Sequence, residues 1–140
     1  MSNRYFHLRM SSSYQTDEND IKDLAIEVLH DDEWETLDLG IRSPGFLLYI
    51  NALFSCQHLY MRTNSAESDL VIESSTGELK VEAGEFWNLI SVSVSFDVKL
   101  KSGSATEEYI RYITERMTHC PVSTNLPENI NMEISVKFDK

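Results

Sequence analysis

The sequence is poor in most of what staples, anchors or divides a chain. Two cysteines among 140 residues are too few for the disulfide framework of a small secreted fold. With three prolines and five glycines there is no Pro- or Gly-rich linker, and no internal repeat or low-complexity tract appears. Positive charge is also scarce: 12 Lys and Arg stand against 23 Asp and Glu, a formal net charge of −11. Binding nucleic acid needs clustered cations, and these are scattered, so the balance excludes nucleic acid and an anionic membrane surface as partners. The longest apolar stretch, residues 46–54, is too short to span a bilayer and is interrupted by Asn51. Residues 1–20 hold no apolar run of the kind a secretory signal needs, and there is no N-x-S/T sequon. The expectation is therefore a cytoplasmic protein, in which any bridge between the two cysteines is catalytic or regulatory. A Gly-rich phosphate loop, G-x-S-x-G and H-E-x-x-H are all missing, and no spacing singles out a Ser/His/Asp triad.

What remains is a globular composition, 41% hydrophobic and 25% charged, sized for one domain over residues 1–140. Residues 5–10 suit a first strand. Ile21, Leu24, Ala25, Val28 and Leu29 recur at helical spacing, so periodicity predicts a helix over 21–29, although residues 24–29 also allow a strand turning at Asp31-Asp32. Residues 33–39 alternate and end at Gly40. Ser43-Pro44 reads as N-cap and first helical residue of a helix running to about residue 64, roughly 30 Å long. It is apolar on nearly every side between residues 46 and 60, which predicts a buried central helix. Strands at 69–74 and 78–82 follow, with Thr76-Gly77 placed for a turn between them. Ile90, Val92, Val94, Phe96, Val98 and Leu100 make the clearest alternation, one face buried and one wet. Ser104 and Glu107 form an S-x-x-E capping box ahead of an Ile110, Ile113, Met117 stripe. A last strand alternates over residues 130–138. Strands mixed with a buried helix, without regular βαβ alternation, define an α+β class.

Cys56 sits within the apolar helix, roughly on one face with Leu48, Ala52, Leu59 and Tyr60, as a small hydrophobe or a reactive thiol. Cys120 precedes Pro121 and a short helical stretch. It either ends a loop or occupies an N-cap, where free N–H groups and the helix dipole favour a thiolate. His119 beside it reads as an ordinary exposed histidine. Cys56-x-His58 and His119-Cys120 supply two potential ligand pairs, but residues two apart on a helix point to different faces, which weighs against zinc. Neither a metal nor a cofactor is expected.

Cys120-Pro121-Val122-Ser123 ahead of an alternating terminal strand resembles the second-cysteine motif of the OsmC/Ohr family. The helix from Ser43-Pro44 through Phe46, Leu47, Leu48 and Tyr49 to Cys56 resembles that family's central helix, and the cysteines lie 64 residues apart. The resemblance covers residues 40–140 well and the first forty poorly. It implies an OsmC-like α+β fold, with antiparallel sheets around the buried helix and strands interleaved in an obligate homodimer. On that reading residues 21–29 form a strand. It also implies reduction of organic hydroperoxides, with Cys56 peroxidatic, Cys120 resolving, and a dithiol such as a lipoyl group as reductant. The alternative it leaves is a non-catalytic OsmC-like module that binds a small apolar ligand or senses redox state. The family's peroxidases place a glutamate in the first turn of the central helix, orienting an arginine onto the thiolate. Here that turn reads Pro44-Gly45-Phe46-Leu47, without a carboxylate. Arg42 is the arginine assigned to Cys56, with Arg4 and Arg9 as alternatives, and Glu33 or Glu35 could supply the acid.

Overall fold

A computed structural model describes residues 2–140. The elements run β1 (Arg4–Gln15), β2 (Asp20–His30), β3 (Glu33–Thr36), α1 (Gly45–Glu67), β4 (Val71–Ala83), β5 (Leu89–Ser102), α2 (Glu107–Met117) and β6 (Asn131–Asp139). The strands form one six-stranded sheet in the order β3-β2-β1-β4-β5-β6. The hairpin pairs β1–β2, β2–β3 and β4–β5 are antiparallel, β1 and β4 also pair antiparallel across the α1 connection, and β6, reached through α2, lies parallel to β5. The α+β class holds. The expected antiparallel sheets are a single mixed sheet.

The stretch with helical spacing is β2. It pairs along β1 with Leu8 opposite Val28, Met10 opposite Ile26 and Ser12 opposite Leu24, so those residues share the sheet's inner face. A register shift between Ser13 and Tyr14 brings Ile21 opposite Tyr14, which explains how a strand imitated a 3.6-residue period. Cross-strand pairing decides the conformation here over local periodicity. Asp31 and Asp32 make the tight β2–β3 turn, both with positive φ, as residues of this type tolerate in a two-residue hairpin.

Thr76-Gly77 makes no turn: β4 runs straight through it. Gly77 lies opposite Phe96, and a Cβ there would stand 2.6 Å from the Phe96 ring and 3.2 Å from that of Phe54. The glycine makes room for two aromatic rings under α1. Both predicted caps also move. Pro44 is the N-cap of α1, and Ser43 Oγ instead accepts the Gly40 N–H at 2.9 Å. Thr106, not Ser104, caps α2, its hydroxyl accepting the Tyr109 N–H at 3.2 Å.

The core lies between the sheet's inner face and the two helices. Ile50, Leu53, Phe54 and Met61 of α1 meet Leu8, Leu79, Val94 and Phe96, and Ile113 and Met117 of α2 close one side. Within one chain α1 is not buried all round. Tyr49 and Leu59 on its far side are 37% and 42% exposed, and Leu24 on the sheet's inner face beyond the helix is 44% exposed. Among the described residues no helix is long and apolar enough to cross a membrane.

Candidate functional site

The two cysteines, distant in sequence, meet where α1 passes the end of α2. Met117 ends α2, and the chain then tightens through a turn in which Cys120 N–H donates to the Met117 carbonyl at 3.3 Å. Thr124 N–H returns to the Cys120 carbonyl at 3.1 Å, so Cys120 is wrapped by its own loop and fully buried. Its sulfur accepts the Ser123 N–H at 3.4 Å, but Cys120 is not the N-cap expected of it. The helical stretch beyond is only a 3-10 turn, Ser123–Asn125, with Val122 at its N-cap, too short for an appreciable dipole. Cys56 is half-buried on α1, and both cysteines are free thiols.

Burial pushes the Cys56 thiol up to about 11. A hydrogen bond with the Cys120 side chain and the charge Cys120 would carry as a thiolate push the same way, and the Val122 backbone N–H opposes them. At neutral pH Cys56 is therefore held mainly as the thiol. The two sulfurs are close enough to interact, but the nucleophile rests protonated.

None of the charged residues weighed for activating Cys56 is brought to it. Arg42 is exposed in the turn before α1, while Cys56 lies eleven residues, about 16 Å, beyond the helix start. No arginine is among the groups that shift the Cys56 thiol. Arg4 stacks over Trp87 at 4.2 Å; Arg9 pairs with Glu27 at 2.7 Å and stacks over Trp34 at 4.1 Å. Glu33 is exposed, and Glu35 lies 3.6 Å from His30. His58 turns away from Cys56 and stacks on Phe96, and His119 is exposed. Among the described residues no group of three or more His, Cys, Asp and Glu side chains is placed to hold a metal ion.

Gln57 is the site residue that sequence reading missed. It is fully buried, and its Nε2 donates to the Met117 carbonyl at 2.8 Å, Ser123 Oγ at 2.6 Å and Cys120 Sγ at 3.1 Å. Its Oε1 is buried with no partner. A polar amide next to a cysteine in an otherwise apolar stretch was the available signal, since buried amides need partners. The Cys120 thiol in turn donates to Ser123 Oγ at 3.0 Å.

A cleft of about 710 Å³ opens at the start of α1 and is lined by Pro44, Gly45, Phe46, Tyr49, Trp87, Asn88, Leu89 and Pro127. It is largely apolar and lies well along the helix from Cys56. Of the aromatic residues near Cys56 in sequence, Phe46 lines this cleft, whereas Phe54 is buried against Phe96.

No family model matches the sequence, and no curated protein matches it. The fold has clear counterparts among solved structures. An OsmC-like protein from Mycoplasma pneumoniae aligns with a TM-score of 0.57 at 12% identity, covering 83% of this chain and 89% of that one. An OsmC-like hydroperoxide resistance protein from Jannaschia sp. CCS1 aligns with a TM-score of 0.57 at 14% identity, over 86% and 85%. A putative osmotic stress induced and detoxification response protein from Psychrobacter arcticus 273-4 aligns with a TM-score of 0.56 at 15% identity, over 89% and 92%. The chain has the OsmC-like fold, as the cysteine motifs and the order of elements led one to expect.

Proposed function

We propose that this chain is a thiol-dependent reductase of organic hydroperoxides that works through Cys56 and Cys120. One observation carries the reading: α1 and the turn after α2 bring two free thiols, 64 residues apart, close enough for Cys120 to push the Cys56 thiol up, the first half-exposed and the second buried. Cys56, as thiolate, attacks the peroxide; an S–O bond forms, the O–O bond breaks, and the alcohol leaves with a proton, giving a sulfenic acid. Cys120 then attacks that sulfur, the S–S bond forms and water departs. A dithiol such as a lipoyl group reduces the bridge by exchange. The fold supports this reading, since it is shared with a hydroperoxide resistance protein. Arg42 keeps only the minor role of a distant positive charge.

The setting we propose is cytoplasmic and homodimeric. Tyr49 and Leu59 on α1 and Ile21 and Leu24 on β2 leave apolar surface that a second copy would cover. A monomer mass by light scattering at micromolar concentration would remove the dimer.

The raised Cys56 thiol specifically favours a second reading, a non-catalytic OsmC-like module that binds a small apolar ligand or senses redox state. Turnover separates the two. With a dithiol present, wild type should consume a bulky organic hydroperoxide faster than hydrogen peroxide, and Cys56→Ser should abolish consumption. Equal background rates for wild type and Cys56→Ser would sink the reductase reading and leave the module.

A further inference from the structure

Three donors and acceptors converge on Cys120, and none of them is needed to explain oxidation at Cys56. Gln57 Nε2 is oriented by the Met117 carbonyl at 2.8 Å, a contact only the amide nitrogen can make. That anchor aims its remaining hydrogen at Ser123 Oγ, 2.6 Å away, and Cys120 Sγ, 3.1 Å away. The Ser123 N–H reaches the same sulfur at 3.4 Å, and the Ser123 hydroxyl lies 3.0 Å from it. Charge-assisted hydrogen bonds of this kind are stronger than neutral ones, so the shell is worth most when Cys120 carries a negative charge. Cys56 has the opposite setting. It is half-exposed, and the only backbone N–H opposing its raised thiol is that of Val122.

We propose that Gln57 is a positioning residue for the reductive half of the cycle, holding Cys120 as the leaving thiolate so that the dithiol attacks the sulfur of Cys56. This rests on the two-cysteine reading above. In the step, a thiolate of the reductant bonds to Cys56 Sγ, the Cys56–Cys120 bond breaks, and its electron pair leaves on Cys120. Gln57 Nε2 and Ser123 then donate to that sulfur. The second thiol of the reductant attacks the mixed disulfide, releases Cys56 and leaves as a cyclic disulfide; solvent supplies the protons. Exchange is faster the better the leaving sulfur bears its charge, so a shell around Cys120 also selects which sulfur is attacked.

The test separates this step from peroxide chemistry by making the bridge with diamide. Full-length wild type, Gln57→Leu and Gln57→Glu are oxidised, the bridge is confirmed by peptide mapping, and two reductions follow. In the first, a monothiol traps wild type as a mixed disulfide, which should map to Cys56; an adduct on Cys120 overturns the proposal without any variant. In the second, a water-soluble phosphine reduces all three proteins at pH 5 and pH 8, each rate divided by that of wild type at the same pH. Gln57→Leu should be about tenfold slower at both, as expected for losing one hydrogen bond to a charged group. Gln57→Glu should approach wild type at pH 5, where burial keeps the carboxyl protonated and its one hydrogen can turn to the departing thiolate, and fall behind at pH 8. A packing role alone would leave those ratios flat, and flat ratios, or rates within twofold of wild type, overturn the proposal. If diamide makes no bridge within the chain, this inference and the reductase reading fail together. If the bridge forms and reduces as stated but wild type consumes no hydroperoxide, only the reductase reading fails.

Discussion

Gln57 and His58 both break an apolar stretch of α1, one directly after the other, and they end in opposite surroundings. His58 faces the sheet. Its Nε2 shares a hydrogen bond with the Tyr14 hydroxyl, which also lies 2.6 Å from Ser75 Oγ, and its ring stacks on Phe96. That cluster is nearly closed on itself and buried. Burial, followed by the charge of Arg62, pushes His58 down to about 4, so it stays neutral at ordinary pH. Gln57 faces α2, touches a thiol and leaves one polar atom without a partner. The rings and hydroxyls around His58 hold a helix on a sheet; the Gln57 amide, donating to a thiol and to the turn that carries it, belongs to a site. The lesson is that polarity in a core is informative mainly through what it leaves unpaired.

The comparison breaks most sharply on reactivity. If Cys56 titrates as high as about 11, its alkylation by iodoacetamide should rise about a hundredfold between pH 7 and pH 9, tenfold per unit. A plateau below pH 8 would mean that something activates the thiol, and the contrast with a quiet structural cluster would need redrawing. Next in size is His58. It is neutral in the fold but takes up a proton on unfolding below its ordinary value of 6.5. Its contribution is therefore fully present above about 6.5 and is lost as pH falls toward about 4, by about 3 kcal/mol at most. Urea midpoints from pH 7 to pH 4 should show this fall, and His58→Gln should flatten it, whatever it does at pH 7. An unchanged pH slope in His58→Gln would show that other groups carry it. The smallest effect belongs to Arg42. Arg42→Ala should slow hydroperoxide turnover by no more than about twofold, because an exposed charge that far away is largely screened. A tenfold loss in steady-state assays would place a guanidinium at the reacting sulfur after all.

Much of this was legible in the sequence, and the failures have physical causes. The alternation around Val94 and Phe96, the stripe on α2 and the Asp31-Asp32 turn each express a local rule, and each appears in the fold. The β2 segment misled because a bulge in β2 itself, with Lys22 as the extra residue, shifts Ile21 into helical spacing, and only the pairing with β1 reveals it. Gly77 misled for a related reason. Its lack of a side chain serves the rings of Phe96 and Phe54, one contributed by the neighbouring strand and one by α1. Ser43 and Ser104 matched capping patterns, but the chain enters each helix one or two residues later. At the site, the Cys120-Pro121 motif and the helix cysteine could be read directly. Gln57 could not, because its partners Met117, Cys120 and Ser123 are 60 residues or more away in the chain.

Peroxide oxidation of the intact protein tests whether Cys56 and Cys120 of one chain are a redox pair. The full-length protein is treated with an equimolar organic hydroperoxide, remaining thiols are blocked, and the digest is mapped without reduction. Both thiols should be consumed, with the peptides carrying Cys56 and Cys120 joined within a single chain. Both cysteines recovered as free thiols, or joined only between chains, would contradict that pairing.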